Sequence, residues 1–95
     1  MQCERLVFSG HAVQRVFERA ISVEDVREVV ERGELIAAYP DDTPYPSSLL
    51  LGFVHGRPLH VVAALDQANA TCYVITAYVP DPGQWADDFR ARRAR

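Results

Sequence analysis

Two apolar runs, Ser48–Val54 and Leu59–Leu65, stand on either side of the dipeptide His55-Gly56. A two-residue connection ending in glycine predicts a tight hairpin turn that needs positive φ at its central positions. If that turn pairs Val54 with Arg57, His60 sits opposite Leu51, and a slip of one residue would send every side chain to the other face. A further run, Thr71–Val79, follows a polar turn around Asp66–Asn69, and a shorter one, Leu35–Tyr39, stops at Pro40. Three of the six prolines fall within Pro40–Pro46, which makes that segment a loop.

Ahead of these strands the apolar period changes from two to about 3.6. Ser9 can cap a helix with Val13, Val16, Phe17 and Ala20 on one face. Ser22 opens a second helix, with Asp25 completing a capping box and Ile21 and Val26 placed as a hydrophobic staple. Val23, Val26, Val29 and Val30 form its stripe, Glu28 and Arg32 pair on its wet face, and Gly33 stops it. Near the C-terminus, Asp81-Pro82 with Gln84 reads as the start of a short helix bearing Trp85 and Phe89. These elements predict an α+β fold: two N-terminal helices packed on an antiparallel sheet of about four strands, closed by a short C-terminal helix.

The chain has 95 residues, enough for a single domain over 1–95 with one core, and residues 90–95 read as a flexible basic tail. No apolar run is long enough to span a bilayer and the N-terminus lacks a signal-peptide pattern, so a cytoplasmic protein with no membrane partner is expected. Two cysteines are too few for a disulfide scaffold, and Cys72, within an apolar run, is expected to pack as a small hydrophobe. The formal net charge is −3, with −5 concentrated in residues 21–45. That argues against a protein that coats nucleic acid broadly, but leaves room for a local phosphate site. All ten cations are arginine, the residue suited to bidentate phosphate contact, though coding bias accounts for such a set equally well.

Two constellations could carry chemistry. His11, Arg15 and Arg19 fall at i, i+4 and i+8, one line along the first helix, where two guanidiniums could hold phosphates beside an imidazole that titrates near neutral pH. The plain alternative is a solvated face with Arg15 paired to acids. On the strands, pairing Leu65 with Thr71 would set His60 opposite Thr76 with Tyr78 diagonal to it, and Arg57 would supply a cation at the rim. That set is either the floor of an active site or a half-buried sheet edge whose polar groups find backbone partners. Histidine and cysteine spacings match no metal site, no phosphate-binding glycine loop or dinucleotide fingerprint occurs, and no cofactor is expected.

The stretches Phe8-Ser-Gly-His-Ala12, Glu18-Arg19-Ala-Ile-Ser22, Tyr39-Pro-Asp-Asp-Thr-Pro-Tyr-Pro-Ser47, Gly56-Arg-Pro-Leu-His-Val-Val62 and Ile75-Thr-Ala-Tyr78 occur in order. Together they resemble the small bacterial DUF4258 family, over about Phe8 to Phe89. That family in turn resembles RelE-like and MqsR-like toxins of the barnase–EndoU–colicin–RelE group. The resemblance implies a RelE-like fold and a metal-independent endoribonuclease toxin that cleaves RNA by 2′-hydroxyl attack. It also implies neutralisation by a small antitoxin protein of zinc-finger type. Residue by residue, the family motifs match His11, Arg15, Arg19, His60, Thr76 and Tyr78. For the cleavage so implied, His11, His60 and Tyr78 are the proton-transfer candidates, and Arg15, Arg19 and Thr76, with Arg57 from the strand reading, the substrate-binding ones. The chain departs from RelE-like toxins in being mildly acidic. The competing expectation is a non-catalytic interaction module, or a degenerate toxin fold, that binds its partner through the acidic second helix and the Pro40–Pro46 loop with Tyr39 and Tyr45 exposed.

Overall fold

The computed structural model of the chain describes residues 1–93. In chain order the elements are β1 (Arg5–Phe8), α1 (Gly10–Glu18), α2 (Val23–Arg32), β2 (Glu34–Tyr39), β3 (Ser47–Val54), β4 (Arg57–Asp66) and β5 (Thr71–Tyr78). The strands form one sheet in the order β1-β5-β4-β3-β2. Strands β2 to β5 are an antiparallel meander, and β1 lies parallel to β5 at the edge. The fold is α+β, but the expected antiparallel sheet of about four strands is a mixed sheet of five. Strand β1 is only four residues long, too short to show a period, and its partner lies more than sixty residues away.

Both helices cover one face of the sheet, and the caps form as expected. Ser9 accepts from the Ala12 N–H and Ser22 from the Asp25 N–H, each at 3.0 Å. The stripe of α1 is rotated from its expected position: Val16 is buried as expected, but Ala12 joins it, whereas Val13 is 52% and Phe17 85% exposed. Ala20 is not part of the helix. It adopts φ 55° just past the end, with Ala20 N–H on the Phe17 carbonyl and Ile21 N–H on the Val16 carbonyl, a Schellman closure built on alanine instead of glycine. In α2, Val26, Val29 and Val30 enter the core as expected, while Val23 stays outside. Gly33 ends α2 in an extended conformation, and its role is close approach: a Cβ there, or at Gly52, would collide with Val29.

The His55-Gly56 turn has φ of 54° and 77°, the mirror-image type, and Val54 pairs with Arg57 and Leu51 with His60. The next turn differs by one residue from expectation, because Leu65 pairs with Cys72. Left uncorrected, that shift would turn β5 over. A bulge in β5, where Ile75 is the extra residue opposite the Val62–Ala63 step of β4, restores the alternation, so that Ala77 faces the helices while Thr76 and Tyr78 face away.

The expected C-terminal helix is absent among the described residues. Asp81 does close one turn, its carbonyl accepting from the Gln84 and Trp85 N–H groups, but Pro82, Gly83 and paired aspartates are poor continuations. The chain instead doubles back, with Ala86 N–H on the Ala91 carbonyl, Phe89 at φ 59° and Trp85 bridged to Arg92. This buries Trp85 on the sheet face opposite the helices. Of the 90–95 tail, Arg90 makes a two-pronged pair with Glu34 and Arg93 pairs with Asp87; positions 94 and 95 lie outside the described residues.

The two cysteines are bonded to each other, Cys3 to Cys72, across 69 residues. Cys72 is a core residue as expected, but also a cross-link that the spacing gave no means to foresee. Closing a loop of this length limits the unfolded chain by an amount worth roughly 4 kcal/mol in the chain-entropy treatment.

The left-handed backbone at Ala20 yields a direct test. Placing an L-residue there costs about 1 kcal/mol that glycine avoids, partly offset by the greater freedom of glycine in the unfolded chain. Ala20→Gly is therefore expected to raise stability by about 0.5–1 kcal/mol, read as a higher urea midpoint with unchanged slope; a lower midpoint would refute the strain.

Candidate functional site

The register of β4 and β5 and the last turn of α1 bring one polar cluster together. His60 and Tyr78 are directly paired across β4 and β5, and Thr76 is paired with Val62, all on the face away from the helices. Pairing of β1 with β5 stops at Val74, so the edge of β5 beyond it has no strand neighbour. Arg19 reaches this bare edge from the end of α1. Its Nη1 donates to the Ala77 carbonyl at 2.7 Å and lies 3.4 Å from the Thr76 hydroxyl. The guanidinium thus links the helical side of the sheet to the face that carries Thr76 and Tyr78, with N–H donors left over for a ligand.

His60 is completely buried. Its Nε2 donates to the Phe89 carbonyl at 2.8 Å, which fixes the tautomer, and its Nδ1 accepts from the Tyr78 hydroxyl at 3.3 Å. The Trp85 ring meets it edge-on at 4.4 Å. Burial pushes the His60 pKa down, the Phe89 contact opposes this, and Arg92 adds to the lowering, so the ring is neutral near neutral pH. Burial also raises the Tyr78 phenol; Tyr39 reinforces the shift, and Arg92 and Arg19 oppose it. Arg92 lies over the Trp85 ring at 5.1 Å. The cluster therefore comprises Arg19, Thr76, Tyr78 and His60, with Tyr39 and Arg92 within electrostatic reach.

The other sequence candidates lie apart from it. Arg15 Nε donates to His11 Nε2 at 3.3 Å, so these two form an exposed pair on α1. Eight residues of helix separate His11 from Arg19, about 12 Å along the axis, and among the described residues neither His11 nor Arg15 hydrogen-bonds to the strand cluster. Arg57 lines a shallow cleft with Ala20, Asp25 and Val79. Tyr39, at the end of β2, is exposed, but Tyr45 in the Pro40–Pro46 loop is half-buried: its ring stacks on Tyr73, centroids 5.6 Å apart, and the Asp66 carboxylate raises its phenol pKa. Two members of the cluster carried no sequence signal as site residues. Arg92 arrives only because the C-terminal segment doubles back, and the prolines next to Tyr39 point to a partner-binding loop instead of a site.

The fold thus sets two helices on one face of a five-stranded mixed sheet, with a histidine–tyrosine–arginine cluster where β4 meets the bare end of β5. Residues 8–79 match the model of the domain of unknown function DUF4258, and the chain belongs to that family. No curated protein and no solved structure matches the chain.

Burial of a neutral imidazole has a pH consequence with a definite sign. The folded pKa of His60 lies below its unfolded value near 6.5, so unfolding takes up a proton in the window between the two. The contribution is complete above about pH 6.5 and is lost as pH falls through that window. Wild-type urea midpoints are expected to fall between about pH 7.5 and 5.5, and the slope to flatten in His60→Gln; equal slopes in both would show that His60 titrates normally.

Proposed function

We propose that this chain is a metal-independent endoribonuclease of the toxin type, acting on single-stranded RNA and restrained by a small antitoxin protein. The observation that carries the reading is the contact of Arg19 with Thr76 beside Tyr78, which sets a cation next to a phenol already hydrogen-bonded to an imidazole. The family resemblance supports it, and so does the all-arginine cation set.

In this reading Arg19 and Arg92 hold the scissile phosphate and offset the charge that grows on it. The Tyr78 oxygen takes the 2′-hydroxyl proton while its own passes to Nδ1 of His60, and the Phe89 carbonyl supports the imidazolium so formed. The 2′-oxygen then forms the new P–O bond, the bond to the 5′-oxygen breaks, and that oxygen takes a proton from solvent, leaving a 2′,3′-cyclic phosphate. His60 is sealed from substrate, so it is a positioning and proton-holding residue. His11 and Arg15, about two turns and one turn of helix from Arg19, hold a neighbouring phosphate instead of the reacting one.

A second reading, the non-catalytic interaction module, is favoured by one observation: both ring nitrogens of His60 are already satisfied inside the fold. Labelled single-stranded RNA in EDTA separates the two. Cleavage to 2′,3′-cyclic ends is expected, reduced about 10²–10⁴-fold by Tyr78→Phe and about 10²-fold or more by Arg19→Ala. His11→Ala is expected to weaken binding while leaving the rate at saturation close to wild type. Cleavage unaffected by Tyr78→Phe would remove Tyr78 from the chemistry, and absence of cleavage by folded protein, alone and with ribosomes, would favour the module.

A further inference from the structure

We propose that the Cys3–Cys72 bond is a reversible redox clasp that controls how firmly β1 and α1 are held against β5. These are the only cysteines in the chain. Cys3 is half-buried just before β1, and Cys72 is fully buried in β5 with Leu6 as its register partner. The bond joins a short edge strand to the strand that carries Thr76 and Tyr78. Apart from it, β1 is weakly held: it has one neighbouring strand, none of its residues is fully buried, and its entry is fixed by the Glu4 and Arg5 N–H groups on the Ala70 carbonyl.

The rest of the argument is connectivity. Ser9 follows β1 directly and caps α1, and α1 ends at Arg19, whose guanidinium holds Ala77 and Thr76. Loosening β1 therefore loosens the start of the helix that delivers Arg19. Opening begins at Cys3, the less buried of the two residues. The thiolate of an external dithiol forms a bond to Cys3 Sγ, and the electron pair of the disulfide leaves on Cys72 Sγ, which takes up a proton. The second thiol of the reductant then closes on its own sulfur, releasing Cys3 as thiolate and leaving the reductant oxidised by two electrons. A free Cys72 remains suited to its core position as a small apolar side chain, so the reduced chain keeps its centre and loses its tether.

The test uses the full chain, once treated with oxidised glutathione and once with dithiothreitol, followed by native-state hydrogen exchange and limited trypsin digestion. Reduction is expected to speed exchange at the Arg5–Phe8 amides, and nicking after the exposed Arg5, by roughly 30-fold or more, while the β3 and β4 amides keep their protection. Cys3→Ser is expected to show the fast pattern with or without reductant; should that variant not fold, the reduced wild type alone decides. Exchange at β1 that ignores reductant overturns the proposal, as does the finding of two free thiols after oxidised glutathione. Loss of β3 and β4 protection together with β1 also overturns it, because the bond would then hold the whole domain instead of one edge.

Discussion

The parallel pairing of β1 with β5 is the constraint from which the remaining geometry follows. It joins residues 66 positions apart, from Arg5 with Thr71 to Phe8 with Val74. Such a contact carries a large loop-closure cost, and four residues of strand are little to set against it. The Cys3–Cys72 bond lies at the start of this pairing and removes part of that cost from the unfolded chain. Because the pairing ends at Val74, the second half of β5 is left with a bare edge, and Arg19 occupies it. One strand is thus closed covalently at its beginning and capped by a guanidinium near its end.

The sheet has two different faces. The helical face is a conventional apolar core of valines, alanines and leucines. The opposite face holds polar groups that are buried and fully partnered: His60 has a donor and an acceptor within reach, and among the described residues no buried side-chain N or O lacks a partner. A buried imidazole with an unmet nitrogen would cost about 1–3 kcal/mol, which explains why Tyr78 and the Phe89 carbonyl converge on one ring. The C-terminal segment supplies half of that arrangement. Its anchor is burial of Trp85, worth about 2–3 kcal/mol, more than the exposed Arg90–Glu34 pair.

Much of the local structure was legible in the residues. Ser9 and Ser22 as caps, His55-Gly56 as a turn and the Glu28–Arg32 pair are each governed by neighbours within four positions, where steric and hydrogen-bond rules act directly. The misreadings have a common cause. The i, i+3, i+4, i+7 spacing places Val13, Val16, Phe17 and Ala20 on the stripe of α1, whereas packing against β5 keeps Val16, adds Ala12 and leaves Val13 and Phe17 outside. The capping signals at Asp81 were real and close one turn, but Trp85 gains more on the sheet than in a helix, and tertiary burial overrides a weak propensity. His60, Thr76 and Tyr78 were correctly gathered on one face, yet through a turn one residue out and a bulge that compensates it.

The sequence by itself determined the order of helices and meander, the hairpin register and the residue types available for chemistry, because these rest on short-range sterics and on the alternation of side chains along a strand. Only the tertiary structure decided that Cys3 meets Cys72, that Arg19 reaches Thr76 and that Arg92 comes within electrostatic reach of His60. Each of these contacts joins residues more than thirty positions apart, with no periodic signal between them. They exist because a parallel edge strand and a returning C-terminal segment bring both ends of the chain to the same two strands, and that convergence is a property of the packed sheet.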